Sequence, residues 1–246
     1  MADVVYGRHP VLEALRAEEG VQRLLVAKGT QTGGPVGEIL SLAQARGIRV
    51  VWVDRRELDR LGGVHQGIAA ELTPFAYADI DDILAAAGER GEPPLVLALD
   101  AIQDVHNLGS LLRTADAVGA HGVIIPAHRA AGVTPAVRKA SAGAVAHLPI
   151  AQATNLTRAL AGLKRQGVWI VGLDMAGETP FDGYDWRGPV ALVVGSEGKG
   201  LGRLVAETCD VLVQLPMRGH VDSLNAAVAG SIVLYHAWRS RRESTL

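Results

Sequence analysis

The stretch PVALVVGSEGKGL, residues 189–201, decides the reading of this chain. An apolar, β-branched run enters three glycines within six residues: Gly195, Gly198 and Gly200. Glycines packed that densely after a strand suggest backbone brought close to a ligand. The spacing G-x-x-G-x-G is not the dinucleotide fingerprint G-x-G-x-x-G. It is not a phosphate-binding Walker loop either, because Gly198-Lys199 is followed by Gly200 rather than by Ser or Thr. Nor is it a nucleophile elbow, since Ser196 directly follows Gly195. A tight strand-to-helix turn and a ligand loop both fit the glycines. A turn alone does not require Glu197.

Outward from this loop, strand and helix signals alternate. LVLALD (95–100), GVIIP (122–126), VAHLPI (145–150), VWIVGLD (168–174), PVALVVG (189–195) and DVLVQLP (210–216) read as strands. Residues 108–118, 134–140 and 156–165 read as helices, and 224–242 as a long terminal helix. Such alternation implies an α/β fold with a mostly parallel sheet covered by helices on both faces. In such sheets ligands bind beyond the carboxyl ends of the strands. Two further segments fall there. In LDAIQDVHNLGSLLRTADAVGA, residues 99–120, Asn107 is expected to cap a helix that carries Arg113 near its start. Capping plus a surface arginine accounts for these residues; helix-end donors and a guanidinium converging on an anion or ribose is the sharper alternative. In VQLPMRGHVDSLNAAVAGSIVLYHAW, residues 213–238, Ser223 stands where a helix cap is expected. Capping leaves Asn225 unexplained. The small residues Ala226, Ala227, Ala229, Gly230 and Ser231 leave one helix face flat, open to close approach by a helix or a sheet.

The amino-terminal residues 1–72 form a small α/β unit. HPVLEALRAEE (9–19) and residues 36–46 read as helices; VQRLLVA (21–27), IRVVWV (48–53) and GIAAEL (67–72) read as strands. Its nine basic and nine acidic residues cancel. Residues 73–94, bounded by prolines, hold one Arg and five acids and read as a linker with a short helix over 80–87. Residues 95–246 carry fourteen bases and twelve acids.

Composition narrows the function classes. The 246 residues are 48% hydrophobic and 20% charged, which excludes disorder of the whole chain. No apolar run reaches the ~18 residues of a membrane span, and the start lacks the apolar core of a secretory signal. A net charge of −2 argues against coating nucleic acid through bulk charge, though not against reading a folded RNA with a local patch. Eight histidines show no ligand pair at i, i+4 and no companion cysteines, so no metal site is expected. One cysteine, Cys209, cannot form a disulfide within the chain; it predicts a reducing, cytoplasmic setting and is expected to be buried.

Taken in order and spacing, HNLGSLLRTADAVGAHGVI, VVGSEGKGL and LPMRGHVDSLNAAVAGSIVLY resemble the three motifs of the SpoU (TrmH) branch of the SPOUT RNA methyltransferases. YGRHPVLEAL and VHQGIAAEL resemble that family's substrate-binding domain, so the resemblance spans nearly the whole chain. The member type it resembles most is the large-subunit (23S) rRNA guanosine 2′-O-methyltransferase. One departure is SLNAAVA, where many members read SLNVSVA.

The resemblance implies a catalytic domain with a deep carboxy-terminal trefoil knot, homodimeric, with the flat terminal helix at the interface. It implies S-adenosylmethionine held at Leu173, Asp174 and Met175, at Gly195, Ser196, Gly198 and Gly200, at Leu215, Pro216 and Met217, and at Ser223, Leu224 and Ala226. Asn107, Arg113, Glu197, Ser223 and Asn225 match the family's catalytic and RNA-facing positions. The reaction implied is displacement at a sulfonium methyl by a ribose 2′-hydroxyl. Two roles are open to Arg113: a base, if its environment is unusual, or a group that stabilises the developing alkoxide and clamps a phosphate. The second is favoured, because a guanidinium stays protonated at nearly any pH. RNA contacts are expected from Arg8, Arg23, Lys28 and Arg46 together with Arg113, and no metal from any carboxylate cluster. A tRNA target is the same-class alternative. A nucleotide-dependent oxidoreductase and a non-catalytic RNA-binding module are the rivals from other classes.

Overall fold

A computed structural model of the chain describes residues 3–16, 20–62 and 64–242. They form two compact units, residues 1–76 and 77–246.

In the first unit, β1 (Asp3–Tyr6), α1 (Arg8–Arg16), β2 (Val21–Ala27), α2 (Pro35–Ala45), β3 (Arg49–Val53), α3 (Arg55–Leu61) and β4 (Ile68–Leu72) follow in order. The four strands lie as β1-β4-β2-β3, with only the β2–β3 pair parallel. Strand alternation splits the core into two layers. Leu24 and Val26 of β2 pack with Val11 and Leu15 of α1 and Ile39 of α2, while Leu25 and Ala27 pack with Leu58 of α3. The expected helices and strands are present, and β1 and α3 are additions. Residues 17–19, the end of the expected first helix, lie outside the described residues.

The second unit opens with α4 (Ile80–Arg90), longer than expected and packed rather than free: Ile83 and Ala87 are fully buried, and Ile83 joins the core of the second sheet. A box of reciprocal bonds at Asp79 and Asp82 starts it, and Gly91 in the left-handed region ends it. Then come β5 (Leu95–Leu99), α5 (Val105–Ala117), β6 (Gly122–Pro126), α6 (Pro135–Ala140), β7 (Ile150–Ala153), α7 (Leu156–Arg165), β8 (Trp169–Leu173), β9 (Thr179–Pro180), β10 (Val190–Val194), α8 (Arg203–Thr208), β11 (Val211–Gln214) and α9 (Ala226–Arg242). The sheet order is β7-β6-β5-β10-β8-β11-β9, and every pairing is parallel. Strands of such a sheet are buried on both faces and read as unbroken apolar runs, as VALVV does. One face packs on α4, α7 and α8 through Leu156, Leu160, Ile170, Val193 and Val205. The other carries α5, which packs against α6 and α9.

Three local expectations need correction. Residues 145–150 are not one strand: Ala144–Ala146 form a 3-10 turn and the ladder begins at Ile150, after Pro149, which cannot donate to it. Asn107 does not cap α5. Asp104 does, accepting from the Asn107 backbone N–H at 2.8 Å, so the helix starts at Val105. Ser223 does not cap the last helix. Asn225 does, its side-chain oxygen accepting from the N–H groups of Ala227 (2.9 Å) and Val228 (3.2 Å).

Among the described residues no helix is long and apolar enough to cross a membrane.

Candidate active site

Because the strands of the second sheet run parallel, their carboxyl ends converge. A cavity of about 290 Å³ opens there. Leu173, Asp174 and Met175 line it from the end of β8; Val194 and all of Gly195 to Gly200 from β10 and its loop; Leu215 and Met217 from the end of β11; Ser223, Leu224, Ala226 and Ala229 from the start of α9. All the positions expected to hold a cofactor are on this wall except Pro216. Val194, Lys199 and Ala229 are additions, as is Glu197, expected as a catalytic position rather than a cofactor contact.

The loop after β10 can take this path only as glycine. A Cβ on Gly195 would lie 2.2 Å from the carbonyl carbon and oxygen of Gly200. The chain turns back on itself there: Ser196 and Gly200 exchange N–H···O bonds of 3.1 and 3.0 Å, and Gly198 and Gly200 take positive φ. Asp174 braces this hairpin, one carboxylate oxygen accepting from the Leu201 N–H at 3.3 Å and the other from the Ala176 N–H at 2.9 Å.

The hairpin delivers Glu197 to a junction of three chain segments. Asn107 Nδ2 donates to Glu197 Oε1 at 2.8 Å, and Asn225 Nδ2 donates to Asn107 Oδ1 at 2.9 Å and also to the same Glu197 oxygen. Asn225 thereby caps α9 with its oxygen and ties the junction with its nitrogen, which accounts for an asparagine that capping alone left unexplained. Ser223 lines the cavity without joining the junction. Arg113 is exposed, six residues along α5 from Asn107, and does not line the cavity.

The small residues of α9 pack inside the same chain. A Cβ on Gly230 would lie 2.8 Å from Leu111 Cδ2 and 3.0 Å from Val194 Cγ2, and Ser231 Oγ sits 2.8 Å from Thr114 Oγ1. The flat face therefore meets α5 and β10, while the outward face presents Val228, Ile232 and Tyr235. Cys209 is half-buried at the end of α8; burial, reinforced by Asp210, pushes its thiol up to about 12.

In the first unit the expected RNA donors have protein partners. Arg23 makes a two-pronged ion pair with Glu71 at 2.6 and 2.7 Å, and Lys28 pairs with Asp54 at 3.1 Å. Arg46 donates to the Leu15 carbonyl, and Arg8 leans on Gln66 at 3.3 to 3.4 Å. Among the described residues no group of three or more His, Cys, Asp or Glu could hold a metal ion.

A parallel α/β sheet with a glycine hairpin and a cavity beyond the carboxyl ends of its strands defines a ligand-binding α/β protein. The chain belongs to the SpoU rRNA methylase family, whose model matches residues 94–235; residues 4–78 match the RNA 2′-O ribose methyltransferase substrate-binding model. A Bacillus subtilis protein described as a TrmH family tRNA/rRNA methyltransferase, YacO, is 46% identical over 97% of this chain and 96% of its own. A Mycolicibacterium smegmatis protein described as a tRNA/rRNA methyltransferase is 48% identical over 98% of this chain and 77% of its own. Among solved structures, the SpoU methyltransferase AviRb from Streptomyces viridochromogenes, in complex with AdoMet, superposes with a TM-score of 0.66 at 26% identity, covering 98% of this chain and 90% of that one.

Proposed function

We propose that this chain transfers the methyl group of S-adenosylmethionine to a ribose 2′-hydroxyl of structured RNA, most directly a guanosine of large-subunit rRNA. The observation that carries the reading is the Asn107–Glu197–Asn225 junction, set beside a glycine-hairpin cavity. The cavity sits near the lower end of small-ligand pockets, which start at ~300 Å³. Leu173, Leu215 and Leu224 offer apolar wall for a purine ring, and the glycine hairpin offers backbone groups close to the ligand.

The bound donor supplies a methyl on cationic sulfur, so its leaving group needs no activation. What remains for the protein is alignment and handling of the hydroxyl proton. Glu197, Asn107 and Asn225, bonded to one another, fix the loop around the reacting atoms, and Ser223 faces ribose or phosphate. Arg113, which does not line the cavity of its own chain, reaches the forming alkoxide from outside that wall. The pairing of Arg8, Arg23, Lys28 and Arg46 within the protein shifts the weight of RNA recognition in the first unit toward shape.

The enzyme acts as a cytoplasmic homodimer. Supporting this, Val228, Ile232 and Tyr235 form an exposed apolar row at i, i+4 and i+7 along α9, which a second copy would cover. The insertion of β10 between β5 and β8, with β11 outside β8, supports a trefoil-knotted path.

The test is tritium transfer from labelled S-adenosylmethionine to deproteinised rRNA and to tRNA, followed by mapping of 2′-O-methyl positions. Label in large-subunit rRNA at one guanosine is the expected result. Label confined to tRNA moves the substrate within the class, and no label in either RNA overturns the reading.

A further inference from the structure

We infer that Asp100, which is not part of the cavity wall, is a positioning residue: its carboxylate holds the return end of the glycine hairpin and so sets the shape of the donor cavity. The inference rests on the methyl-transfer reading above. In the ladder Val194 pairs with Leu99 on one side and with Leu173 on the other. Asp100 and Asp174 are therefore both level with Gly195, one at the end of each strand flanking β10. The ladder continues one step past β5, with the Asp100 N–H donating to the Val194 carbonyl at 2.8 Å.

The hairpin that leaves β10 is tied back to both neighbours. The Gly202 N–H donates to Asp100 Oδ2 at 2.7 Å, and the preceding N–H, of Leu201, donates to Asp174 Oδ2 at 3.3 Å. Two consecutive amides are thus taken by carboxylates from opposite sides. The glycines make room for this: a Cβ on Gly202 would lie 3.1 Å from Asp100 Oδ2, and one on Gly200 would lie 2.9 Å from Asp174 Oδ2. Gly202 also stands at the start of α8 with no side chain of its own to cap it. Asp174 lines the cavity, so it can touch ligand and loop alike; Asp100 reaches the cavity only through the loop. Asp100 also begins the segment that leads to Asn107, so one strand end governs both sides of the Asn107–Glu197 bond.

The experiment uses the whole chain and S-adenosylhomocysteine as the probe. Asp100→Ala should weaken its binding by about tenfold to a hundredfold, the loss expected for a charge-assisted hydrogen bond. Amide exchange over residues 196–202 should quicken while the amides of β10 and α9 keep their protection. Asp100→Asn keeps an acceptor oxygen and should recover most of the affinity. Gly202→Pro removes the donor from the other side at a φ of −62° that proline accepts, and should lose affinity like Asp100→Ala; the double variant should be no worse than either. If Asp100→Ala does not fold, Gly202→Pro carries the same readouts. Wild-type affinity together with unchanged exchange in either folded variant overturns the inference. A wild-type chain that binds no S-adenosylhomocysteine, while loop exchange still answers to Asp100→Ala, instead removes the methyl-transfer reading and leaves the brace standing.

Discussion

Asn107 Nδ2 and Glu197 Oε1 meet at 2.8 Å although ninety residues separate them in the chain. The bond joins the first turn of α5 to the tip of the hairpin after β10, and Asn225 closes it from the cap of α9. One carboxylate oxygen thus reports whether three elements are in register.

Glu197→Ala deletes the acceptor shared by the two amides. Steady-state kinetics of tritium transfer should show kcat reduced by about tenfold to a hundredfold, the equivalent of one charge-assisted hydrogen bond. An unchanged kcat would show that the junction is dispensable.

Gly195→Ala places a methyl 2.2 Å from the Gly200 carbonyl. That contact is with backbone and cannot be relieved by rotating a side chain, so the hairpin must open. Calorimetry with S-adenosylhomocysteine should show binding lost, with thermal unfolding lowered by only about 1–3 kcal/mol of strain. Retained affinity would mean the hairpin does not shape the pocket.

Gly230→Val drives side-chain bulk into Leu111 and Val194. Overpacking of about 1–3 kcal/mol should lower Tm by several degrees at ~2–4 °C per kcal/mol. A melting curve superposable on wild type would place the α5–α9 contact further apart than described.

The Cys209 thiol, raised from its ordinary 9.0 to about 12, should react with a disulfide reagent at pH 8 far more slowly in the folded chain than in denaturant. The proton is held more tightly in the folded state. Its contribution to stability is therefore whole below pH 9 and is lost as pH rises from about 9 toward 12. Cys209→Ala should remove that part of the alkaline slope in a pH series of denaturation curves, and a slope that persists in full would assign it elsewhere.

Arg113→Lys keeps the charge of an exposed side chain on α5 but removes its two-pronged geometry. Turnover should fall by at least about tenfold with RNA affinity little changed, if the guanidinium stabilises the alkoxide. Near wild-type turnover would leave no need for a fork there.

The alternation of apolar runs and helical spacing was enough to read a parallel α/β sheet, because strands buried on both faces have no polar side to disguise them. The glycines at 195, 198 and 200 were legible for the same kind of reason: a backbone that must touch itself tolerates no Cβ. Helix starts were read less well. Asp104 and Asn107, like Ser223 and Asn225, are all competent caps by residue type, and only the fold chooses between them. The Asn107 side chain is taken by Glu197 and Asn225 and leaves the cap to Asp104, whereas Asn225 caps α9 with its oxygen and joins the junction with its nitrogen. The short helices α3 and α8 carry too few periodic residues to announce themselves. Residues 145–150 show strand-like apolar content that is spent packing a 3-10 turn beside α5.

The amino-acid sequence by itself determined the class of sheet, the loops that would carry chemistry and the residue types at their tips, since these follow from local patterns of hydrophobicity and backbone freedom. Tertiary structure alone decided that Asn107, Glu197 and Asn225 share one oxygen, that the small face of α9 is consumed inside its own chain, and that Asp100 and Asp174 brace one hairpin from two sides. Those outcomes depend on strand order, and strand order is set by how whole elements bury their surfaces against one another rather than by any neighbouring residues in the chain.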